Sequence, residues 1–326
     1  MTPDEILAHA RVFRLPLVRE FRGITVREGL VFEGPSGWAE FAPFQDHTDQ
    51  HASRWLAAAL EQAYGSWPEP LRTHVPVNAI IPVADPATTM TLVDAALARG
   101  ITTFKTKVGA HDFESDVARV AAIRSTLDDA GVQGAIRIDT NQQWSLSQAI
   151  DRLPVLDAIA GGLEYAEQPV LASELAELRR AAAVPIAVDE GVRLAEDPIA
   201  AAMLLQEIAD VVVLKAIPLG GVQAALALAD QVRLPVVVSG SLDTVVGLAA
   251  GLHLAACLED ARPAGLATGV LLQRDLVADP DLPIDGALVA RRRIPDDDAF
   301  VEDPDMLANW SARLRRAWSH LPGQGQ

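Results

Sequence analysis

From about residue 76 onward the sequence alternates between short apolar runs and amphipathic helical segments, and this alternation restricts the fold more than any other feature. Near-continuous apolar runs indicate strands that are buried on both faces, as in a parallel sheet covered by helices. Eight such units in about 200 residues favour an α/β fold of the (β/α)8 barrel type over an open sheet. The predicted strands are Val77–Val83, Thr103–Val108, Ala135–Asp139, Leu163–Glu167, Ile186–Asp189, Val211–Lys215, Val236–Ser239 and a weak pattern at Gly265–Thr268.

The two ends of the chain have a different sequence pattern from the predicted barrel. Residues up to Phe44 predict three antiparallel strands, and Ala52–Tyr64 predicts a helix with an apolar face. A last amphipathic helix is predicted over Pro304–Leu321, and its apolar stripe needs a surface to cover. We therefore expect an α+β capping domain in residues 1–75, a barrel domain in 76–285, and a C-terminal segment, 286–326, that returns to the cap.

Composition limits the possible partners. The net charge is −17 and the sequence pI is near 4.7, which argues against nucleic acid and anionic membranes as partners. The single cysteine, Cys257, excludes an intrachain disulfide, and the N-terminus lacks a basic-then-apolar signal pattern. These features predict a soluble cytoplasmic protein that acts on a small molecule.

Lysine is rare in this chain and is confined to strands. Of the 27 Lys and Arg residues only three are Lys, namely Lys105, Lys107 and Lys215. Lys105 and Lys107 lie two apart in a predicted strand, so both side chains point to the same face. A desolvated lysine can lose its proton and act as a base, whereas an arginine cannot. Snorkelling surface lysines are the alternative interpretation of this pair.

The predicted strands end in charged residues, in order along the chain. Strand two ends in Lys107, and the following four strands end in Asp139, Glu167, Asp189 and Lys215. The carboxyl ends of parallel barrel strands converge on one mouth, where barrel enzymes keep their active sites. Three neighbouring carboxylates need a cation, and oxygen ligands without a Cys or His cluster favour Mg²⁺, with Mn²⁺ as a possible substitute. Taken singly, each carboxylate could instead begin a turn or cap a helix.

This set of motifs resembles the enolase superfamily, and within it the muconate-lactonising branch. The matching motifs are Lys105-Thr106-Lys107, Asp139-Thr140-Asn141, Glu167-Gln168-Pro169, Asp189-Glu190 and Lys215. The resemblance covers essentially the whole chain and implies a modified (β/α)7β barrel under an α+β cap. Within the branch the sequence is most similar to the o-succinylbenzoate synthase family, which Arg22-Gly23 and Ser239-Gly240-Ser241 favour.

The resemblance implies a Mg²⁺-dependent syn-dehydration in menaquinone biosynthesis. Asp139, Glu167 and Asp189 would bind the metal, which stabilises an enediolate formed from the substrate carboxylate. Lys107 would remove the α-proton and assist the departure of hydroxide, and Lys215 would stabilise the intermediate from the opposite face. Lys105 and Asn141 would support these groups without contacting the substrate. The residues expected to bind the substrate are Arg22, Ser239, Gly240 and Ser241.

Other functions share parts of this pattern. An N-succinylamino acid racemase or a muconate cycloisomerase would use the same site, with Lys215 as the second acid/base of the racemase. A dipeptide epimerase is disfavoured because residues 265–269 contain no acidic residue to bind an ammonium group. A metal-free Schiff-base aldolase would leave three carboxylates uncompensated. A non-catalytic binding protein would not need the complete set.

Overall fold

A computed structural model of the protein describes residues 1–21, 23–110, 112–202, 204–260 and 262–322. The chain begins with a short helix and a three-stranded antiparallel sheet, followed by a longer helix. These elements are α1 Pro3–Leu7, β1 Arg11–Phe21, β2 Ile24–Gly34, β3 Gly37–Phe41 and α2 Asp49–Tyr64. The predicted strands and helix of the cap are thus present, with α2 beginning three residues earlier than expected because Thr48 accepts a hydrogen bond from the His51 amide as its N-cap.

The middle of the chain forms the barrel strands. After the short strand β4, His74–Pro76, come seven parallel strands in the spatial order β11-β10-β9-β8-β7-β6-β5. These are β5 Ala79–Ile81, β6 Thr103–Lys107, β7 Ala135–Asp139, β8 Leu163–Glu167, β9 Ile186–Val188, β10 Val211–Leu214 and β11 Val236–Val238.

Helices alternate with these strands and cover the sheet. They are α3 Pro86–Leu97, α4 Phe113–Asp129, α5 Leu146–Ala160, α6 Leu175–Ala181, α7 Glu190–Arg193, α8 Pro198–Ala202, α9 Leu205–Ile208, α10 Val222–Gln231 and α11 Val245–Cys257. Local signals define several starts: Ser145 and Gln148 form a capping box at α5, and Asp112 caps α4. No helix in the described ranges is long and apolar enough to cross a membrane.

The barrel closes without a regular eighth strand. The weakly predicted strand Gly265–Thr268 is wrong as a strand, because only single parallel bridges form there. Ala264 bridges to Val77 beside β5, and Gly265 bridges to Ser239 beside β11, so two residues join both edges of the sheet. Since Gly269–Leu271 already forms a 3-10 turn, the segment is too short for a ladder. The expected modified barrel under a cap is confirmed.

The C-terminal region contains the strand β12, Ala287–Val289, and the helix α12, Pro304–Trp318. As expected, α12 packs on the cap, against α2 and β1, with Met306, Trp310 and Leu314 buried. The Trp310 ring meets Phe41 of β3 edge-on at 6.2 Å between centroids.

The sequence prediction contained neither the helix α1 nor the paired strands β4 and β12. The helix α1 has only five residues and depends on a capping box between Thr2 and Glu5. The strand β12 pairs antiparallel with β4, a partner far away in the chain that no local pattern indicates.

We expect Leu314→Ala to destabilise the fold strongly. Leu314 is fully buried between α12 and the cap, so its truncation leaves a cavity and should lower the free energy of unfolding by about 2–5 kcal/mol. Urea denaturation followed by circular dichroism measures the change. Arg315→Ala on the same helix removes only an exposed ion pair with Asp4 and should cost less than about 1 kcal/mol. Equal losses in the two variants would show that α12 is not anchored through this face.

Candidate active site

The register of the barrel sheet places the predicted charged residues in one layer. Lys107 on β6 pairs with Asp139 on β7, which pairs with Glu167 on β8. Asp189 and Lys215 directly follow β9 and β10. Because alternate residues of a barrel strand point inward, these five side chains meet at the carboxyl end of the sheet.

The three lysines contact the three carboxylates. The Lys105 Nζ lies 2.6 Å from Glu167 Oε2 and 3.0 Å from Asp139 Oδ2, so it bridges two strands. The Lys107 Nζ lies 2.7 Å from Asp139 Oδ2, at one end of the row. The Lys215 Nζ lies 2.6 Å from Asp189 Oδ2, at the other end. The structure therefore brings all of these predicted residues together, with Lys107 and Lys215 on opposite sides of the carboxylates.

The two lysines of β6 have different electrostatic environments. For Lys105, burial by itself would lower the pKa, but the carboxylates of Asp139 and Glu167 outweigh it and hold the pKa well above its ordinary value. For Lys107, burial lowers the pKa, Asp139 opposes this, and the Lys105 ammonium lowers it further. Lys107 is thus the lysine of β6 that gives up its proton more readily.

The carboxylates differ as well. Burial raises the pKa of Glu167 to about 7, with Lys105 opposing and the charges of Asp139 and Asp189 adding to the effect. At Asp139 burial is outweighed by Lys105 and Lys107, which hold the pKa far below its usual range. At Asp189 Lys215 and Arg193 likewise outweigh burial and lower the pKa to about 2. Glu167 is therefore the carboxylate whose charge is compensated least.

A second set of hydrogen bonds connects the two opposing lysines. Lys107 donates a hydrogen bond to Asn141 Oδ1, and Asn141 Nδ2 donates to Glu190 Oε1 at 3.1 Å. Arg193 donates to the same Glu190 oxygen at 2.6 Å and to Asp189 Oδ1 at 3.1 Å. Since Asp189 in turn accepts from Lys215, the whole path is continuous and fixes the side chains around the cavity.

The backbone at two strand ends is strained. Asn141 and Gln168, which follow Asp139 and Glu167 closely, have φ angles of 49° and 42°, in the left-handed region that non-glycine residues rarely adopt. The Gln168 side chain is buried, and its Oε1 accepts hydrogen bonds of 3.1 Å from the amides of Asp189 and Gly191. Gln168 thereby links the strand end that carries Glu167 to the one that carries Asp189. Backbone strain of this kind is typical of functional sites.

The carboxylates suit a divalent metal by their chemistry. Glu167 Oε1 is buried and has no hydrogen-bond partner among the described residues, although an orphaned carboxylate oxygen is costly to bury. Within the same part of the chain no three His, Cys, Asp or Glu side chains are gathered closely enough to hold a metal ion as they stand. In this arrangement a lysine ammonium contacts each of the three carboxylates. Three hard oxygen donors and one free buried oxygen fit Mg²⁺ or Mn²⁺.

A cavity of about 50 Å³ lies against part of the charged layer and is lined by Lys105, Lys107, Asp139 and Lys215. The cavity continues into an outer space of about 590 Å³, and the two share Phe21, Lys107 and Asn141. Phe21, at the end of β1 in the cap, places its ring 5.9 Å from the Lys107 Nζ. Three predicted substrate-binding residues line the inner cavity, namely Ser239, Gly240 and Ser241. The fourth, Arg22, lies outside the described residues.

Other residues of the cavity wall were not found from the sequence. They are Phe21, Phe44, Ile80, Arg193, Leu242 and Thr268. Arg193 had a local signal, since it follows Asp189 by one helical turn. Leu242 directly follows the predicted Ser241, whereas Phe44 had no local signal, because only the tertiary fold brings it to the cavity.

We expect Lys105→Met to make the protein depend on a divalent cation for stability. The change leaves Asp139 and Glu167 buried with less positive charge, so the metal-free variant should lose about 3–5 kcal/mol. Added Mg²⁺ should replace the missing charge and raise the melting temperature more in the variant than in the wild type. Calorimetry with EDTA or Mg²⁺ measures both responses. Equal Mg²⁺ responses in the two proteins would contradict a cation site between these carboxylates.

Comparison with known proteins supports the geometry. Residues 12–63 match the enolase N-terminal domain-like family and residues 89–295 the enolase C-terminal domain-like family. The o-succinylbenzoate synthase of Thermobifida fusca (strain YX) is 46% identical over 318 residues, covering 95% of this chain and 97% of that protein. The o-succinylbenzoate synthase of Mycobacterium marinum is 43% identical over 329 aligned residues, covering 98% of this chain and 96% of that protein.

Solved structures show the same fold at lower sequence identity. An L-Ala-D/L-Glu epimerase from Bacillus subtilis superposes with a TM-score of 0.73 at 22% identity, covering 86% of this chain and 94% of that one. A muconate lactonizing enzyme from Pseudomonas fluorescens superposes with a TM-score of 0.70 at 20% identity, covering 93% and 97%. Because a family model matches most of the chain and the two o-succinylbenzoate synthases are 43–46% identical to it over nearly its whole length, the chain belongs to the enolase superfamily and, within it, to the o-succinylbenzoate synthase family.

Proposed function

We propose that the protein catalyses the syn-dehydration of 2-succinyl-6-hydroxy-2,4-cyclohexadiene-1-carboxylate to 2-succinylbenzoate, a hydro-lyase reaction of menaquinone biosynthesis. The observation that carries this proposal is the pair Lys107 and Lys215, which approach one row of carboxylates from opposite ends. The named activity of the two relatives, which align with nearly the whole chain, supports the same reaction.

Asp139, Glu167 and Asp189 would hold a divalent metal, which we propose is Mg²⁺. When bound, it supplies a Lewis acid that neutralises negative charge developing on the substrate carboxylate. The lysines keep Asp139 and Asp189 ionised, whereas burial raises the pKa of Glu167 to about 7 despite the neighbouring Lys105. In the proposed arrangement Lys105 stays protonated and holds Glu167 and Asp139 together.

Lys107 would carry the proton steps. Its neutral amine accepts the proton from the carbon next to the substrate carboxylate, and its lowered pKa favours that neutral form. The same proton is then donated to the β-hydroxyl as the carbon–oxygen bond breaks, so that water leaves and the ring becomes aromatic. Because one residue serves both steps, proton and hydroxyl leave from the same face. Asn141, which contacts Lys107, would hold the amine in line.

Lys215 and the opposite wall would bind the rest of the substrate. The Lys215 ammonium lies across the carboxylate row from Lys107 and would stabilise the electron-rich ring as a cation. Ser239, Gly240 and Ser241 form the adjacent wall and would bind the succinyl arm, together with Arg22. We further infer a division into a cap of residues 1–75, a barrel of 76–285 and a returning segment of 286–326, and a cytoplasmic location.

The same lysine pair also suits racemisation of an N-succinylamino acid. In that reaction Lys107 and Lys215 would each exchange a proton with one face of the α-carbon. The succinyl arm is common to both substrates, so the cavity wall does not separate the two reactions. A dipeptide epimerase remains disfavoured, because residues 265–269 present no carboxylate to an ammonium group.

Product formation distinguishes dehydration from racemisation. We expect incubation with the cyclohexadiene precursor and Mg²⁺ to yield aromatic product, followed by ultraviolet absorbance, and EDTA to stop the reaction. Rapid racemisation of an N-succinylamino acid without aromatic product would favour the second function. Dehydration at an unchanged rate in EDTA would contradict the metal site.

Lysine variants test the assigned roles. Lys107→Ala should lower the rates of both dehydration and racemisation by about 10²–10⁴, because both need its base. Lys215→Ala should lower the rate of dehydration by about 10²–10³ through lost charge stabilisation, yet abolish racemisation.

For the wild type, kcat/KM should rise with pH as Lys107 loses its proton. In Lys105→Met that rise should move to higher pH, because the ammonium that lowers the Lys107 pKa is gone.

A further inference from the structure

Two buried charged residues of the cap reach into the barrel beside the cavity. Arg27 lies on β2 and Glu40 on β3, and their side chains are only 2% and 1% exposed. Arg27 Nη2 and Glu40 Oε1 are 3.6 Å apart. Neither residue contacts the carboxylates of the active site through the hydrogen bonds and ion pairs described above, so the proposed mechanism leaves them unexplained.

Glu40 binds the start of the barrel helix α11. Its Oε2 accepts hydrogen bonds from the Thr244 amide at 2.9 Å, the Thr244 hydroxyl at 2.6 Å and the Gly247 amide at 3.3 Å. A side chain at position 247 would place its Cβ 2.6 Å from Glu40 Oε2 and would displace the Glu40 carboxylate. Amides at a helix start lack partners within the helix and attract a negative charge. A residue of the cap therefore caps a helix of the barrel.

Arg27 binds the loop immediately before that helix. Its Nε donates to the carbonyl of Leu242 at 2.9 Å, and its guanidinium lies over the rings of Phe44 and Trp55 at 4.7 and 5.7 Å. Leu242 has a φ angle of 61°, a left-handed conformation that a leucine adopts only when its surroundings enforce it. The bond from Arg27 supplies one such constraint at the strained residue itself.

The loop held in this way forms part of the cavity wall. Ser239, Gly240, Ser241 and Leu242 all line the inner cavity, and we call them the 239–242 loop. Within the barrel, Asp243 Oδ2 accepts from the Ser241 amide at 2.9 Å, which shapes the middle of the loop. Its far end, at Leu242, is bound by Arg27 of the cap, and Thr244, which follows the loop, is bound by Glu40.

We propose that Arg27 and Glu40 are positioning residues: they hold the 239–242 loop in the conformation that receives the part of the substrate remote from the carboxylate row. The identity of the group that the loop receives rests on the proposed function, whereas the claim that Arg27 and Glu40 fix the loop does not. The competing explanation is that the pair only attaches the cap to the barrel. Gln62 on α2 provides a matched control, because it is buried and donates to the Val246 carbonyl of α11 at 2.7 Å without contacting the loop.

The experiment compares Arg27→Lys, Glu40→Gln and Gln62→Met in the full-length protein. Arg27→Lys keeps the positive charge but loses the Nε donor, and Glu40→Gln removes the negative charge while keeping an acceptor. Amide hydrogen exchange in the substrate-free protein measures the protection of the backbone amides in and beside the loop. We expect at least tenfold faster exchange of the Ser241–Thr244 amides in the first two variants and no local change in Gln62→Met. Equal exchange of this segment in all three variants would overturn the proposal.

Substrate-dependent readouts then test the consequence for catalysis. With the cyclohexadiene precursor, Arg27→Lys should raise KM at least tenfold and lower kcat much less, because Lys107 and the carboxylates are untouched. Gln62→Met should lower the melting temperature while keeping KM. A parallel fall in kcat with unchanged KM in Arg27→Lys would overturn the positioning role. If the wild type gives no aromatic product, the proposed function fails, and the exchange data still decide whether the cap holds the loop.

Discussion

The rest of the site depends on balancing the charges of three carboxylates inside a barrel. Asp139, Glu167 and Asp189 are each about 1–2% exposed and would be strongly disfavoured without positive charge beside them. Lysine ammoniums supply that charge at 2.6–3.0 Å, and Arg193 adds to it at Asp189. The same balance gives Lys107 a lowered pKa and Lys105 a raised one, although the two lie on one strand. A site that carries so much charge can bind a further cation only by rearranging these contacts, which couples metal binding to the state of the lysines.

The parallel sheet is what makes this balance possible. In-register pairing places Lys107, Asp139 and Glu167 side by side. Two residues earlier on the same strands, it places Lys105, Arg137 and Tyr165 in a second layer. Arg137 is fully buried there, bound to Glu164 at 2.8 Å and stacked 4.9 Å from the Tyr165 ring. Below the reactive layer the barrel is thus closed by a polar layer that is already paired. Above the reactive layer, Phe21 and Phe44 of the cap line the cavity.

Much of this was predictable from sequence because it depends on short-range patterns. Strand periodicity gives the shared face of Lys105 and Lys107, and the order of strand ends gives the grouping of Asp139, Glu167 and Asp189. The prediction of an eighth strand was wrong because a barrel can close through two bridged residues, Ala264 and Gly265, which need no apolar run. The pairing of β4 with β12 and the cavity position of Phe44 arise from contacts between distant parts of the chain, on which local patterns carry no information.

The cap completes the barrel's active site and does more than cover it. Arg54 on α2 donates to the carbonyls of Arg193, Ala195 and Glu196 at 3.1, 2.8 and 2.7 Å, which fixes the segment that follows Asp189. Arg27 and Glu40 bind the segment between β11 and α11 in the same manner, through backbone groups. Such bonds to backbone groups set the shape of the segment, and at Thr244 and Gly247 Glu40 also restricts its sequence. Under the proposed function, the groups at the strand ends would carry the reaction, and the segments bound by the cap would shape the cavity that receives the rest of the substrate.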